Sequence, residues 1–212
     1  MRNNPYLIKV IIPAFLLFLT GCIINIEDDD DDNDRRVKGT GELVTHEIDL
    51  PPFHDISNTG IMQLNISKGI EQKVSIRAQE NIFEVLTFSV ENGKLVIGTE
   101  DEVNISTNLG VFGDLVLTQD PENIHLTGTG DVTLSGKKQS SLNINIIGTG
   151  NIKAFDLELD DCNITSTGTG NCEVFVNEKL NVTITGIGNV YYKGQPEITQ
   201  QIVGLGSVVD RN

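Results

Sequence analysis

The chain is 212 residues long, 38% hydrophobic and 5% aromatic, and its 30 acidic against 15 basic side chains give a formal net charge of −15. A field of that sign excludes nucleic acid and anionic membrane surfaces as partners held by charge. The length provides core for one domain or two small ones.

Arg2 and Lys9 give a positive start, and the apolar run from Val10 to Leu19 is too short for the ~20 residues of a membrane span. The run closes on Leu19-Thr20-Gly21-Cys22, which resembles the lipobox of bacterial lipoproteins. That resemblance implies a signal peptide over residues 1–21, cleavage before Cys22, and lipidation of Cys22. Two or three acyl chains, at ~0.8 kcal/mol per buried CH₂, anchor a protein stably. Loss of Arg2 and Lys9 with the signal leaves 13 basic residues against 30 acidic, a net charge of −17. Positions 27–34 are acids broken only by Asn33. Such a block self-repels and cannot pack, so residues 22–38 read as a lipidated Cys and an acidic tether. Acid-rich stretches placed so also resemble the signal that sends lipoproteins of Bacteroidetes-type bacteria to the cell surface.

Residues 39–110 are strand-rich. Val44 to Leu50, Met62 to Ile66 and Val74 to Ala78 alternate apolar and polar side chains, with Pro51-Pro52 as a break. Glu80 to Leu86 has room for one or two helical turns. Asn92-Gly93 between Leu86–Val90 and Leu95–Ile97 is the strongest hairpin signal in the chain.

Residues 111–212 repeat. Gly-x-Gly begins at Gly128, Gly148, Gly168, Gly186 and Gly204, spacings of 20, 20, 18 and 18 residues, closing on Gly130, Gly150, Gly170, Gly188 and Gly206. Before the glycines stand Leu142/Ile144/Ile146, Cys162/Ile164/Ser166 and Leu180/Val182/Ile184, alternating with Asn and Thr; after them comes the column Val132, Ile152, Cys172, Val190, Val208. Each repeat therefore supplies two strands around a sharp corner, where glycine serves either a positive φ or a close backbone approach that a Cβ would obstruct. The period excludes helix-containing repeats of 33 or more residues. The fold class expected is all-β, a right-handed parallel β-helix, or solenoid, of ~18–20-residue coils marked by Gly-x-Gly corners. Cys162 and Cys172 fall on inward columns, as a disulfide or as two buried thiols.

Phe53-His54-Asp55-Ile56-Ser57-Asn58-Thr59-Gly60, the Glu91-to-Ile97 hairpin and the Gly-Thr-Gly-Asp/Asn corners at 128–131, 148–151 and 168–171, taken in that order, resemble the family described as putative auto-transporter adhesin, head GIN domain. The resemblance runs from about Val44 to the C-terminus and implies adhesion. Ile187 and Leu205 depart from it, placing an apolar residue between the last two glycine pairs, which marks those coils as caps or contact sites.

The position after each corner reads Asp131, Asn151, Asn171, Asn189, Ser207, a column suited to hydrogen bonding along the stack. One charge in five is too little for calcium. His46, His54 and His125 share no ligand spacing, and Asp156, Glu158, Asp160 and Asp161 read as a solvated loop, so no catalytic residue, metal or cofactor is expected. The function expected is a non-enzymatic, lipid-anchored protein of the outer membrane or cell surface, an adhesin or partner-binding module. Its partners would be the membrane through its anchor, an unidentified protein or glycan, and a second copy of itself. The alternatives are a glycan-acting enzyme, marked by carboxylates beside Arg or Lys across adjacent coils, and a structural envelope module.

Overall fold

The computed structural model describes residues 35–212. The expected signal peptide, the expected lipidation site Cys22 and the acids at 27–34 lie outside the described residues. The first half forms β1 (Arg35–Lys38), β2 (Leu43–Ile48), β3 (Asp55–Asn58), β4 (Gln63–Lys68), β5 (Lys73–Gln79), one helical turn α1 (Glu80–Phe83), β6 (Leu86–Glu91), β7 (Lys94–Thr99), β8 (Val103–Ser106) and β9 (Phe112–Leu117). The second half forms β10 (Asn123–Leu126), β11 (Val132–Ser135), β12 (Gln139–Ile146), β13 (Ile152–Ser166), β14 (Cys172–Ile184), β15 (Val190–Lys193), β16 (Glu197–Ile202) and β17 (Val208–Asp210).

The alternation read from the sequence becomes burial that alternates along the strands, as in β4, where Leu64 and Ile66 are buried and Gln63 and Asn65 exposed. A strand, a corner and a second strand make one layer, and successive layers pair in parallel register. Ile56, Ile124, Ile144, Ile164 and Val182 stack on one side of the corner. Leu64, Val132, Ile152, Cys172 and Val190 stack on the other. All ten are at most 3% exposed. Burying an aliphatic side chain of this size contributes about 1.5–3 kcal/mol, so these two columns are the spine of the core. The long strands β13 and β14 each serve two successive layers: β11 pairs with the start of β13 and β12 with its remainder.

The expected right-handed parallel β-helix is corrected by the strand pairing. Fifteen strands form one mixed sheet, in which β2 with β5, β5 with β9, and β6 with β7 are antiparallel. The result is an all-β, open half-barrel with parallel and antiparallel strands. The β6–β7 hairpin and the reversal of direction from β4 to β5 have local causes. Asn92 (φ 51°) and Gly93 (φ 76°) make a two-residue turn of left-handed backbone, which joins only antiparallel strands. Four residues between β4 and β5 are likewise too few for a parallel crossover. The repeat seen in the second half therefore does not extend through the first. Arg35–Lys38, within the stretch read as tether, pairs in parallel with β8 in a separate two-stranded sheet.

Candidate functional site

The corners are closely stacked backbone. The N–H of the residue between the two glycines, Thr129, Thr149, Thr169, Ile187 or Leu205, donates to the first-glycine carbonyl of the preceding layer at 2.9–3.0 Å, from Gly60 onward. A Cβ on Gly128, Gly148, Gly168, Gly186 or Gly204 would fall on that carbonyl, and one on Gly130, Gly150, Gly170, Gly188 or Gly206 on the backbone one layer below, closer than any real Cβ contact. None of these ten has positive φ. Close approach, not left-handed backbone, is what selects glycine here. The first corner, Asn58-Thr59-Gly60-Ile61-Met62, lacks a glycine pair. Buried Asn58 closes it instead, donating from Nδ2 to the Met62 carbonyl at 2.7 Å and accepting from Gly60 N–H at 3.3 Å.

Two polar ladders run along the stack. In one, the backbone N–H groups of Asn151, Asn171, Asn189 and Ser207 donate to Oδ1 of Asp131, Asn151, Asn171 and Asn189 at 2.9–3.1 Å. Asp131 ends the ladder and pairs with Lys153 at 2.8 Å. Burial raises the Asp131 pKa, but the bonds from Lys153 and Asn151 outweigh it and hold the carboxyl below its usual value. The second ladder has no counterpart in the sequence reading. Asn181, Asn163 and Asn143 donate from Nδ2 to the next Asn Oδ1 at 2.9–3.0 Å, and Asn123 donates to Asp55 at 2.9 Å. Its signal was present as three wet-face asparagines in register. What ties it to Asp55, 68 residues before Asn123, is layer stacking.

Asp55 also lies 3.1 Å from His54 Nδ1, and Glu122 brings a carboxylate to the same place, all three ligand atoms within 4.8 Å of one another. Sequence spacing could not bring Glu122 to His54; the pairing of β3 with β10 does. His125, on β10 beside Ser57, is held below its usual pKa by burial and then by Lys94, with Asp55 opposing. His46 sits apart, stacked on Phe83 at 3.7 Å with Nε2 3.2 Å from Glu80. Cys162 and Cys172 are free and buried. Burial pushes the Cys162 thiol up to about 12 and Cys172 well above its usual value, so both stay protonated and inert.

The four acids read as a solvated loop lie instead within strand β13, where only Asp156 is exposed; Asp160 pairs with Lys138, and Glu158 accepts from Asn177 at 2.7 Å. Lys138–Asp160 and Lys153–Asp131 are carboxylate–lysine pairs across neighbouring layers. The cavity beside the first, lined by Lys137, Gln139 and Leu157 among others, is about 10 Å³, room for about one water and not for a sugar ring. A larger hollow of about 500 Å³ is an open dent at the turn 69–73 with Val116.

The terminal layer differs from those beneath it. Among the described strands, β16 pairs only with β14, and β17 only with β15, so each has one edge without a described strand partner. At the corner, Val203 is 72% and Leu205 76% exposed, above Ile187 at 56%, with Ile202 alongside at 37%.

The described chain is thus a polar, ladder-stapled stack with a cluster of exposed apolar groups at its C-terminal corner, besides single exposed side chains such as Ile70 and Ile147 elsewhere. The family model for putative auto-transporter adhesin, head GIN domain, matches residues 52–115 and 113–196, and the chain belongs to that family. The family's adhesin description points to the cell surface or envelope. Among solved structures, a putative adhesin from Bacteroides fragilis is similar at 16% identity and a TM-score of 0.55, over 82% of this chain and 100% of that one. A putative lipid binding protein from Parabacteroides distasonis is similar at 19% identity and a TM-score of 0.45, over 84% of this chain and 100% of that one. At such identities the likeness concerns fold alone. No curated protein matches the chain.

Proposed function

We propose that the protein is a non-enzymatic, lipid-anchored adhesin or partner-binding module of the outer membrane or cell surface, which binds through its C-terminal layer. The observation that carries the reading is the group Ile187, Ile202, Val203 and Leu205, exposed beside two unpaired strand edges. Exposed apolar side chains next to free backbone donors and acceptors are what a partner strand or apolar surface engages. Polarity supports it too. The described chain begins at β1, beside β8 and α1 at the other end of the stack. From β7 to β16 there are six strand-to-strand steps, roughly 29 Å at about 4.8 Å each. An anchor at Cys22 would hold the base and leave the C-terminal layer outermost.

The test is attachment of cells displaying the protein to protein- and glycan-coated surfaces. The paired change Val203→Asp and Leu205→Asp should lower attachment and leave the amount in the membrane fraction and the circular dichroism spectrum unchanged. Undiminished attachment would remove the terminal layer as the contact surface.

A further inference from the structure

We propose that His54, Asp55 and Glu122 form a site for a first-row divalent transition-metal cation of the Zn²⁺ class, in the first corner layer, on the far side of the stack from the exposed apolar layer. This is separate from the adhesive reading. The three ligand atoms lie within 4.8 Å of one another. Two ligands about 2.0–2.1 Å from one ion stand about 2.9–3.4 Å apart at tetrahedral or octahedral angles. The 3.1 Å between His54 Nδ1 and Asp55 Oδ1 already matches that edge. Glu122 is exposed, so a change of rotamer closes the remaining gap. One imidazole with two carboxylates favours Zn²⁺, Co²⁺ or Ni²⁺ over Ca²⁺ and Mg²⁺, which take oxygen ligands.

The frame around these groups is fixed by backbone. The N–H groups of His54 and Asp55 both donate to the Gly93 carbonyl, at 2.9 and 3.1 Å. A Cβ on Gly93 would meet His54 Nε2 at 2.6 Å, so the β6–β7 turn lies against that edge of the ring while Nδ1 faces Asp55. Glu122 is tied to the same place, its N–H donating to the His54 carbonyl at 3.3 Å and its carbonyl accepting from Asn143 N–H at 2.9 Å. Asn123, the last asparagine of its ladder, donates to Asp55 Oδ1 at 2.9 Å and aims the carboxylate, as outer partners of metal ligands do. Lys94, opposite Asp55 on β7, opposes the ion and sets a limit on affinity.

The test is calorimetric titration of Zn²⁺ into the purified full chain, with excess Ca²⁺ to occupy the oxygen-only sites of the acidic stretch at 27–34. One Zn²⁺ should bind per chain. His54→Ala and Glu122→Gln should each weaken binding at least about tenfold, and Asn123→Ala by a similar factor through Asp55. Co²⁺ should give a ligand-field absorption spectrum that His54→Ala removes. Glu122 is exposed, so its variant keeps the fold and separates loss of a ligand from loss of structure. Absence of Zn²⁺ binding under Ca²⁺ excess, or binding unchanged in both His54→Ala and Glu122→Gln, would overturn the site.

Discussion

Gly150 and Gly136 offer a comparison within one molecule of what the corner glycines do. A Cβ on Gly150 would fall on the Gly130 carbonyl, 2.9 Å from its carbon and 3.0 Å from Leu126 Cδ2, whereas a Cβ on Gly136 would meet only Leu157 Cδ1 at 3.6 Å. Neither has positive φ, so both Gly→Ala changes bring the same gain from a stiffer unfolded chain, about 0.4–1 kcal/mol. At Gly150 the layers must part. Overpacking of that kind costs about 1–3 kcal/mol. The neighbouring bond from Thr149 N–H to the Gly128 carbonyl, now 3.0 Å, stretches with it, at about 0.5–1.5 kcal/mol. Gly150→Ala should therefore lie at least about 1.5 kcal/mol below Gly136→Ala in unfolding free energy, and Gly150→Val lower still. Urea titrations followed by circular dichroism, fitted with a common slope, measure the gap. Two alanine variants within about 0.5 kcal/mol of each other would refute the close-approach account of the corners.

Cys22→Ser should move the protein from the membrane fraction to the soluble one, and acyl label retained on the variant would refute lipidation at Cys22. Asp131 should stabilise the fold in a pH-dependent way. Its folded pKa is depressed, so its contribution is complete above the unfolded value of about 3.9 and is lost as pH falls through the lower folded value. The stability difference between wild type and Asp131→Asn, read by urea titration, should thus shrink between neutral and strongly acidic pH, and a constant difference would refute that role. Joint replacement of Asp131, Asp156, Glu158, Asp160 and Asp161 by their amides should alter partner binding chiefly in its salt dependence. Because loss of a general acid or base typically lowers turnover about 10²–10⁴-fold, a glycan-cleaving activity of the wild type that collapses in this variant would establish the enzymatic alternative.

Periodicity made the second half legible and concealed the first. Alternation and the glycine spacing place Ile144, Ile164 and Val182 inward and at matching heights, because both follow from backbone geometry that every layer shares. The Asn92-Gly93 hairpin is legible for the same reason, as a turn that dictates its own backbone. What the sequence did not carry was the partner of each early strand. β5 lies between β2 and β9, and β9 pairs with β4 across more than 40 residues; no local rule encodes such choices, and they turned an expected parallel coil into a mixed sheet. The same holds at the site level. His54 and Asp55 adjoin in sequence, but Glu122 reaches them only because β10 adds onto β3.

The two ladders give the stack a direction. Every link sends its donor toward the N-terminal layers, and both chains of bonds end on an aspartate, Asp131 in one and Asp55 in the other. A carboxylate only accepts, which is the property a terminal residue of such a ladder needs when its neighbour offers an N–H. Chained amides polarise one another, so the negative charge at the end strengthens the links above it. At the opposite end the ladder stops on Ser207, whose N–H and hydroxyl both donate to Asn189 Oδ1, at 3.1 and 2.7 Å. Toward the N-terminal layers the second ladder ends on Asp55, beside His54 and Glu122, while the C-terminal layer exposes Val203 and Leu205. Strand order sets their separation: β10, β12, β13 and β14 stand between β3, which carries Asp55, and the terminal β16.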